Sequence, residues 1–303
     1  MAAEDCCRFV TVRCSAGSRP VVNAHDDLAC DADYTARMNK ASIRVGIGGW
    51  TFEPWRGTFF PEGLANRREL EFASHAMTAI EVNGTYYSRQ KPATFATWAK
   101  TAPDGFVFAL KASRYCTNRK VLAEAGESID KFLGQGLTEL GDKLGPILWQ
   151  FMATKKFDAE DFGAFLKLLP TKQDGIALRH AVHVRHESFA VPEFVTMARA
   201  AGVTIVYADS ADYPALADVT GDFVYARLEN AREDVPTGYT DAELDRWTDI
   251  AREWAAGAAP DGLPYGDTAA PKKAARDTFV FFINGAKVRA PAGALAMIER
   301  LKS

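Results

Sequence analysis

Short apolar runs alternate with segments of helical periodicity from residue 43 to the end of the chain. Each apolar run is rich in Val, Ile, Phe or Leu and stops at a glycine or a polar residue, which is typical of a buried strand. The pattern predicts eight strands, which are Ile43–Gly48, Thr78–Val82, Phe106–Lys111, Pro146–Phe151, Ala181–Arg185, Val203–Ala208, Phe223–Leu228 and Thr278–Ile283.

The segments between these runs repeat apolar residues every three or four positions and predict helices. Start signals support three of them, because Asp158 precedes one helix and Pro192 opens another. Thr240 and Glu243 form a capping box at the start of a third. The predicted helices are Arg67–His75, Ala93–Lys100, Ser128–Leu140, Ala159–Leu169, Pro192–Ala201, Ala242–Ala256 and Gly293–Leu301. Residues 257–277 lack periodicity and predict a surface loop.

Strands and helices that alternate along a chain favour parallel strands joined by right-handed crossovers. Eight such strands favour closure of the sheet into a barrel. We therefore predict an α/β protein with a single TIM-type (β/α)8 barrel over residues 41–303. A barrel of this length needs no internal domain boundary.

The first 40 residues lack sustained periodicity and predict a disordered N-terminal tail outside the barrel. Two other interpretations stay open. Translation could begin at Met38, directly before the first strand. Alternatively, zinc could bind Cys6, Cys14, His25 and Cys30, although these residues form no Cys-x-x-Cys pair.

Charge and hydropathy limit the partners of the protein. Lys and Arg number 36 against 39 Asp and Glu, so no overall positive field holds the chain on nucleic acid or on a membrane. An anion would need a local cluster of cations. No apolar run approaches the roughly 18 to 20 residues of a transmembrane helix, and the first 30 residues lack the apolar core of a signal peptide. We expect a cytoplasmic protein, and no feature predicts its oligomeric state.

Polar side chains end nearly every predicted strand. The carboxyl ends of the strands form the active-site face of a TIM barrel, so these side chains predict a functional site there. The candidates at strand ends are Trp50, Glu81, Asn83, Lys111, Gln150, Arg185, His186, Asp209, Arg227, Glu229 and Asn284.

Aromatic residues lie in the loops of the same face. They could stack on a sugar or a base, or pack the rim of the barrel. These residues are Trp50, Trp55, Tyr86 and Tyr87. Trp149 lies within a strand, and we expect it to pack against the helices.

The alternation of side chains along a strand adds one further candidate. If Arg185 points into the barrel, then His183 does so as well. Glu229 follows Arg227 inward in the same way. Strands five and seven are alternate strands, whose inward residues share a layer. We therefore predict that His183 and Glu229 interact.

Three cations, Lys111, Arg185 and Arg227, outnumber the carboxylates Glu81 and Asp209 at this face before Glu229 is counted. Cations that converge repel one another unless carboxylates or a bound anion compensate, so a phosphate or carboxylate ligand is expected. A purely structural network of salt bridges is the alternative.

Metal and covalent chemistry are weaker alternatives. Metal-ligand types at this face are His183, His186, Glu81, Asp209 and Glu229. No His-x-His or His-Glu-x-x-His spacing occurs, however. No cofactor and no metal site are therefore predicted, although a divalent metal stays an alternative. Lys111 could form a Schiff base if the nearby arginines lower its pKa.

Six segments together resemble the YecE-like proteins, also called domain of unknown function 72. The matching segments run in order along the chain: Gly48–Pro61, Glu81–Tyr87, Phe108–Lys111, Leu144–Phe151, Arg185–Phe189 and Tyr225–Leu228. The resemblance spans about residues 43–301 and excludes the tail. It implies a TIM-type barrel with a polar pocket, and it implies no particular activity.

Two positions depart from the pattern of this family. The family usually has Glu where His183 stands, and His-Gly where Glu229 and Asn230 stand. An acid and an imidazole thus look exchanged between two strands, which strengthens the prediction that these side chains interact.

Two functions of different classes follow. The first is an enzyme for a small anionic or phosphorylated substrate, with Lys111 and the two arginines as a clamp, Glu81 or Asp209 as base or acid, and His186 as proton donor. The second is a binding or regulatory protein that uses the same clamp. A carboxylate with a strongly shifted pKa would favour the enzyme, whereas carboxylates that all bind arginines would favour binding. A metal-dependent hydrolase or nuclease is a weaker third.

Overall fold

Eight parallel strands close into a barrel in the computed structural model, which describes residues 41–267, 269 and 271–303. The strands are β1 (Ile43–Gly48), β2 (Ala79–Val82), β3 (Val107–Lys111), β4 (Leu144–Gln150), β5 (His180–His183), β6 (Thr204–Asp209), β7 (Phe223–Leu228) and β8 (Asp277–Phe282). The expectations for residues 1–40 lie outside the described residues.

The barrel closes between its first and last strands. Ile47 of β1 pairs with Ile80 of β2 on one side and with Phe282 of β8 on the other. The order around the barrel is β1–β8–β7–β6–β5–β4–β3–β2. A Cβ atom at Gly46 would overlap the carbonyl oxygen of Ala79, so glycine allows the close approach of β1 and β2. The chain is thus an α/β protein with a TIM-type barrel.

Nine α-helices of the described part connect or follow the strands. They are α1 (Glu69–Ala76), α2 (Gly84–Tyr87), α3 (Pro92–Thr101), α4 (Arg114–Thr117), α5 (Gly126–Leu133), α6 (Ala159–Lys167), α7 (Pro192–Ala200), α8 (Asp241–Ala255) and α9 (Ala290–Lys302). The capping box predicted from Thr240 and Glu243 is present at the start of α8.

Two predictions about secondary structure are wrong. Strands and helices do not alternate strictly, because residues 210–222, between β6 and β7, are all described and contain no helix. The predicted helix Ser128–Leu140 is divided into α5 and a separate 3-10 segment, Leu137–Lys143. Gly136 lies between them with a left-handed φ of 93°, which ends helical geometry. The remaining boundaries shift by at most three residues, the largest shift being at the start of α9.

Alternate residues of the strands fill two separate cores. Inward side chains such as Tyr225, Phe279 and Phe281 pack together inside the barrel. Outward side chains pack against the helices, and the prediction for Trp149 is confirmed, since its ring contacts Phe132 of α5. The inward polar residues lie beyond this apolar plug, toward the carboxyl ends of the strands. No helix of the described part is long and apolar enough to cross a membrane.

Candidate functional site

The functional site begins at the polar layer directly above the apolar plug of the barrel. Tyr225 and Arg227 alternate along β7, and both face the interior, where they meet Glu81 of β2. Gln150 of β4 and His183 of β5, paired in the strand register, enter the same layer from the other side. Five strands of the barrel thus contribute to one buried cluster once Lys111 of β3 is included.

Arg227 is the centre of this cluster. Its guanidinium donates to Glu81 through Nε (3.1 Å) and Nη2 (3.2 Å). Its Nη1 nitrogen lies 2.6 Å from Glu229 Oε1, 2.9 Å from His183 Nδ1 and 3.3 Å from Gln150 Oε1. The side chain is 1% exposed, so these contacts replace its hydration. Both buried carboxylates of the cluster therefore bind the same arginine.

Glu81 is a fully engaged acceptor. It receives the Tyr225 hydroxyl at 2.7 Å in addition to two donors from Arg227. Burial by itself would raise its pKa, but the positive charges of Arg227 and Lys111 outweigh that effect and hold the pKa below its usual value. Glu81 is thus an ionised structural partner and has little freedom to accept a proton.

Lys111 lies in the same layer without a carboxylate of its own. Its ammonium stands 4.6 Å from the centre of the Tyr86 ring, and no hydrogen bond or ion pair of its side chain occurs among the residues described. Burial, and next the charge of Arg227, lower the pKa of Lys111 to about 8. The amine is therefore a buried cation that loses its proton far more readily than a surface lysine.

His183 is neutral and presents an unused donor. Arginine can only donate, so His183 Nδ1 accepts from Arg227 and the proton sits on Nε2. Burial, followed by the charges of Arg227, Arg185 and Lys111, lowers the pKa of His183 well below its usual value. Nε2 is buried and has no partner in the described structure. An acceptor that reached this atom would satisfy it.

His183 and Glu229 meet through a third residue. Both approach the Nη1 nitrogen of Arg227, and no hydrogen bond joins the two side chains directly within the described residues. The prediction that they belong to one layer is confirmed by this shared contact. Their energetic coupling stays a prediction, because it depends on how each changes the environment of Arg227.

Arg185 lies beyond the end of β5, and an aromatic side chain covers it. The guanidinium carbon stands 4.3 Å from the centre of the Tyr213 ring. The His183 ring packs edge to face on the same tyrosine, with 6.1 Å between the ring centres. Nε of Arg185 is buried without a partner. Tyr213 belongs to the irregular segment between β6 and β7 and shields this side of the cluster from water.

Asp209 lies outside the cluster, contrary to the predicted convergence of five charged residues. It accepts hydrogen bonds from Asn230 (2.9 Å) and the Tyr239 hydroxyl (3.1 Å). Tyr207, two residues earlier on β6, packs against α8, so Asp209 is on the outward face of the strand. Burial raises the pKa of Asp209, but this carboxylate lies between β6 and α8 and not in the cluster around Arg227.

His186, the predicted proton donor, caps a helix. Its Nδ1 accepts the backbone N–H of Ser188 at 3.1 Å and begins the 3-10 turn Glu187–Phe189. Nδ1 also lies 2.9 Å from the Ser188 hydroxyl. These contacts use Nδ1 in the local turn at the end of β5, so a proton donated by His186 would come from Nε2.

The aromatic and amide candidates separate into two groups. Trp55 is fully buried and donates to the carbonyl of Lys287 at 3.0 Å, so it packs the rim and is unavailable to a ligand. Asn284 lies exposed in the turn after β8. Trp50, Asn83 and Tyr86 stay at the mouth, half-buried.

Metal coordination has no preformed set of ligands in the part of the chain that is described. No group of three or more His, Cys, Asp or Glu side chains lies close enough together to hold a metal ion. The residues predicted as possible ligands are divided between the cluster and the contacts of Asp209 and His186.

Sequence reasoning missed two residues of the site. Tyr225 carried a usable signal, because it precedes Arg227 by two residues and therefore shares its face. Tyr213 carried none, since its segment has neither periodicity nor a regular element. Only the folded chain brings it over Arg185.

Comparison with known proteins gives a family and several structural relatives. A family model described as "Protein of unknown function DUF72" matches residues 44–303. A DUF72 family protein from Thermotoga maritima is similar at 23% identity and a TM-score of 0.66, over 86% of this chain and 99% of its own. One from Enterococcus faecalis is similar at 19% identity and a TM-score of 0.64, over 86% and 96%.

A third solved structure, that of SacUVDE, is similar at 10% identity and a TM-score of 0.52, over 86% of this chain and 98% of its own. At these identities the likenesses show the fold alone. No curated protein matches the chain.

Proposed function

This chain belongs to the DUF72 family, and we propose that it binds a small anion, a phosphate or a carboxylate, between Lys111 and Arg185 at the mouth of its barrel. One observation carries the proposal. Glu81 and Glu229 both bind Arg227, which leaves Lys111 in the same layer and Arg185 beyond the end of β5 without a carboxylate. A bound anion would supply the missing negative charge.

The charge balance of the cluster supports this proposal. Three cations meet two carboxylates, and the sixth titratable member, His183, is neutral. A buried charge without a partner is unfavourable by several kcal/mol unless a counter-ion reaches it. Phosphate and carboxylate oxygens fit an arginine fork and a lysine ammonium, and the buried Nε2–H of His183 is a further donor.

Binding without chemistry is the function that the contacts favour. A catalytic acid or base should have free lone pairs and a pKa near the working pH. Glu81 instead has three hydrogen bonds and a lowered pKa, and Glu229 is held by Arg227. The carboxylates are thus committed to structure, as expected of a binding or regulatory protein.

One observation favours a second candidate, an enzyme that uses the Lys111 amine. A pKa of about 8 leaves part of the amine unprotonated near neutral pH, and such an amine can attack a carbonyl. The attack forms a carbon–nitrogen double bond and releases water. Sodium borohydride added to the protein with pyruvate would reduce that bond, and mass spectrometry of the Lys111 peptide would detect the adduct. Absence of an adduct would leave Lys111 as an anion ligand only.

The test of anion binding compares two lysine variants by titration calorimetry with inorganic phosphate. We expect Lys111→Met to weaken phosphate binding at least about tenfold, because a charge-assisted contact contributes roughly 1.5 to 3 kcal/mol. Lys100→Met, on the exposed face of α3, is the matched control and should bind like the wild type. Equal affinities of all three proteins would refute the assignment.

A further inference from the structure

A cavity of about 390 Å³ opens beside the anion site, between the loops that follow β1 and β2. Aromatic side chains form much of its wall. Trp50 meets Trp98 edge to face at 5.2 Å, and Tyr87, 65% exposed, lines the same space. The volume lies within the range typical of small-molecule sites. The function proposed above uses none of these three rings.

The cavity and the anion site share a wall. Asn83 lines the cavity and follows Glu81 by two residues, so it leaves β2 on the inward side, next to Lys111 of β3. Gly48 leaves room for the Asn83 amide, since a Cβ atom there would lie 3.2 Å from Nδ2.

Two neighbouring tyrosines also connect the anion site to the cavity. Tyr86 carries Lys111 on its ring, and its neighbour Tyr87 contacts it edge to face at 5.0 Å while lining the cavity. Asn118 donates to the Tyr86 hydroxyl at 3.0 Å and holds that ring in place. A ligand held at Lys111 would thus continue directly over the pair of tyrosines.

Unused polar groups also face the cavity. The Asn83 side-chain amide makes no hydrogen bond in the part of the structure that is described. Lys287 lines the cavity half-buried, with its ammonium 4.6 Å from the Phe52 ring, and no carboxylate pairs with it among the described residues. Such groups suit the acceptor atoms of a polar ring and fix its orientation.

We propose that the ligand of this site is an anion linked to a ring, with the phosphate or carboxylate at Lys111 and the ring in the cavity between Trp50 and Tyr87. This inference rests on the anion site proposed above and names the class of its ligand. Flat aromatic walls favour a stacked ring over a flexible chain, because stacking on such side chains contributes about 1 to 3 kcal/mol per base in other proteins. Both an aromatic ring and a sugar ring can stack on aromatic side chains in this way.

The experiment compares inorganic phosphate, phenyl phosphate and glucose 6-phosphate by titration calorimetry. We expect at least one ring ester to bind the wild type about fivefold or more tightly than phosphate. Tyr87→Ala should remove this gain and leave the affinity for phosphate unchanged. Tyr115→Ala is the matched control, since Tyr115 is about as exposed, lies on the short helix α4 and does not line this cavity.

The outcomes separate the two proposals. A gain for phenyl phosphate alone assigns an aromatic ring, and a gain for glucose 6-phosphate alone assigns a sugar. If phosphate binds and neither ester binds better, or if the gain survives Tyr87→Ala, the ring subsite is refuted while the anion site stands. If the wild type binds neither phosphate nor either ester, the anion site itself is refuted.

Discussion

The two sides of the barrel mouth carry positive charge in different ways. On the Arg227 side, one guanidinium is surrounded by two carboxylates, an amide and an imidazole, and its contacts are complete. On the Lys111 and Arg185 side, the cations rest on the faces of Tyr86 and Tyr213, and no carboxylate binds them in the described chain.

This difference separates structure from binding. A buried ion pair with all its hydrogen bonds fixes the side chains around it, and removal of one partner is costly. A buried cation on an aromatic face has only part of its solvation replaced, so it gains most when an anion arrives. We therefore assign the Arg227 side to stability and the Lys111 side to the ligand.

The largest effect is expected from Glu81→Gln. The substitution keeps the shape but leaves Arg227 with one fewer charge partner, so unfolding in urea should show a loss of about 3 to 5 kcal/mol. Glu71→Gln is the control, because Glu71 forms an exposed pair with Arg68 and its substitution should leave the free energy of unfolding close to that of the wild type. Similar losses in the two variants would show that the Arg227 side is no more structural than the surface.

Lys111→Met should have the opposite sign. Charging Lys111 in the fold is unfavourable by about 3.5 kcal/mol, given a pKa of about 8 instead of 10.5 and roughly 1.4 kcal/mol per unit. We expect the variant to be more stable than the wild type by about 1 to 2 kcal/mol at pH 7 without ligand, since Met also loses the contact with Tyr86. A destabilised variant would place Lys111 with the structural residues.

The pH dependence of anion binding sharpens the same contrast. Sulfate, which keeps its charge from pH 6 to 9, should bind about tenfold more weakly at pH 9 than at pH 7, because the amine must be protonated. The stability of the free protein changes with pH in the opposite direction to the affinity for sulfate. The lowered pKa of Lys111 destabilises the fold fully below pH 8, and this penalty vanishes as the pH rises from about 8 to 10.5. Affinity that is flat between pH 7 and 9 would contradict the role of Lys111.

The smallest effect concerns the two exchanged residues on the Arg227 side. His183→Glu places a second carboxylate at the Nη1 nitrogen that already binds Glu229, and adding Glu229→His restores one acid and one imidazole. The double-mutant cycle should give a coupling of about 1 kcal/mol or more. Additive losses would mean that the departure from the family pattern is coincidence.

Sequence patterns predicted the barrel and much of the polar layer for a physical reason. Buried parallel strands are apolar runs, and alternation decides which residues enter the barrel. The same rule could have excluded Asp209, because it shares a face with Tyr207, which packs against α8.

The pairing of charges could not be predicted in this way. Alternation places Glu81, Lys111 and Arg227 on one face but does not give the distances across the barrel that decide which cation takes the carboxylates. The contacts of loop side chains could not be predicted for another reason. His186 and Tyr213 lie in irregular segments, where no periodicity indicates the direction of a side chain.

The most direct test of this account is a titration of Lys111 itself. Carbon-13 NMR of the lysine Cε atoms, with the signal of Lys111 assigned through Lys111→Met, would follow its protonation with and without phosphate. The account predicts a pKa of about 8 in the free protein, which rises when phosphate binds. A pKa at or above 10.5 in the free protein would mean that a carboxylate already pairs with Lys111 and would contradict the division of the mouth into two sides.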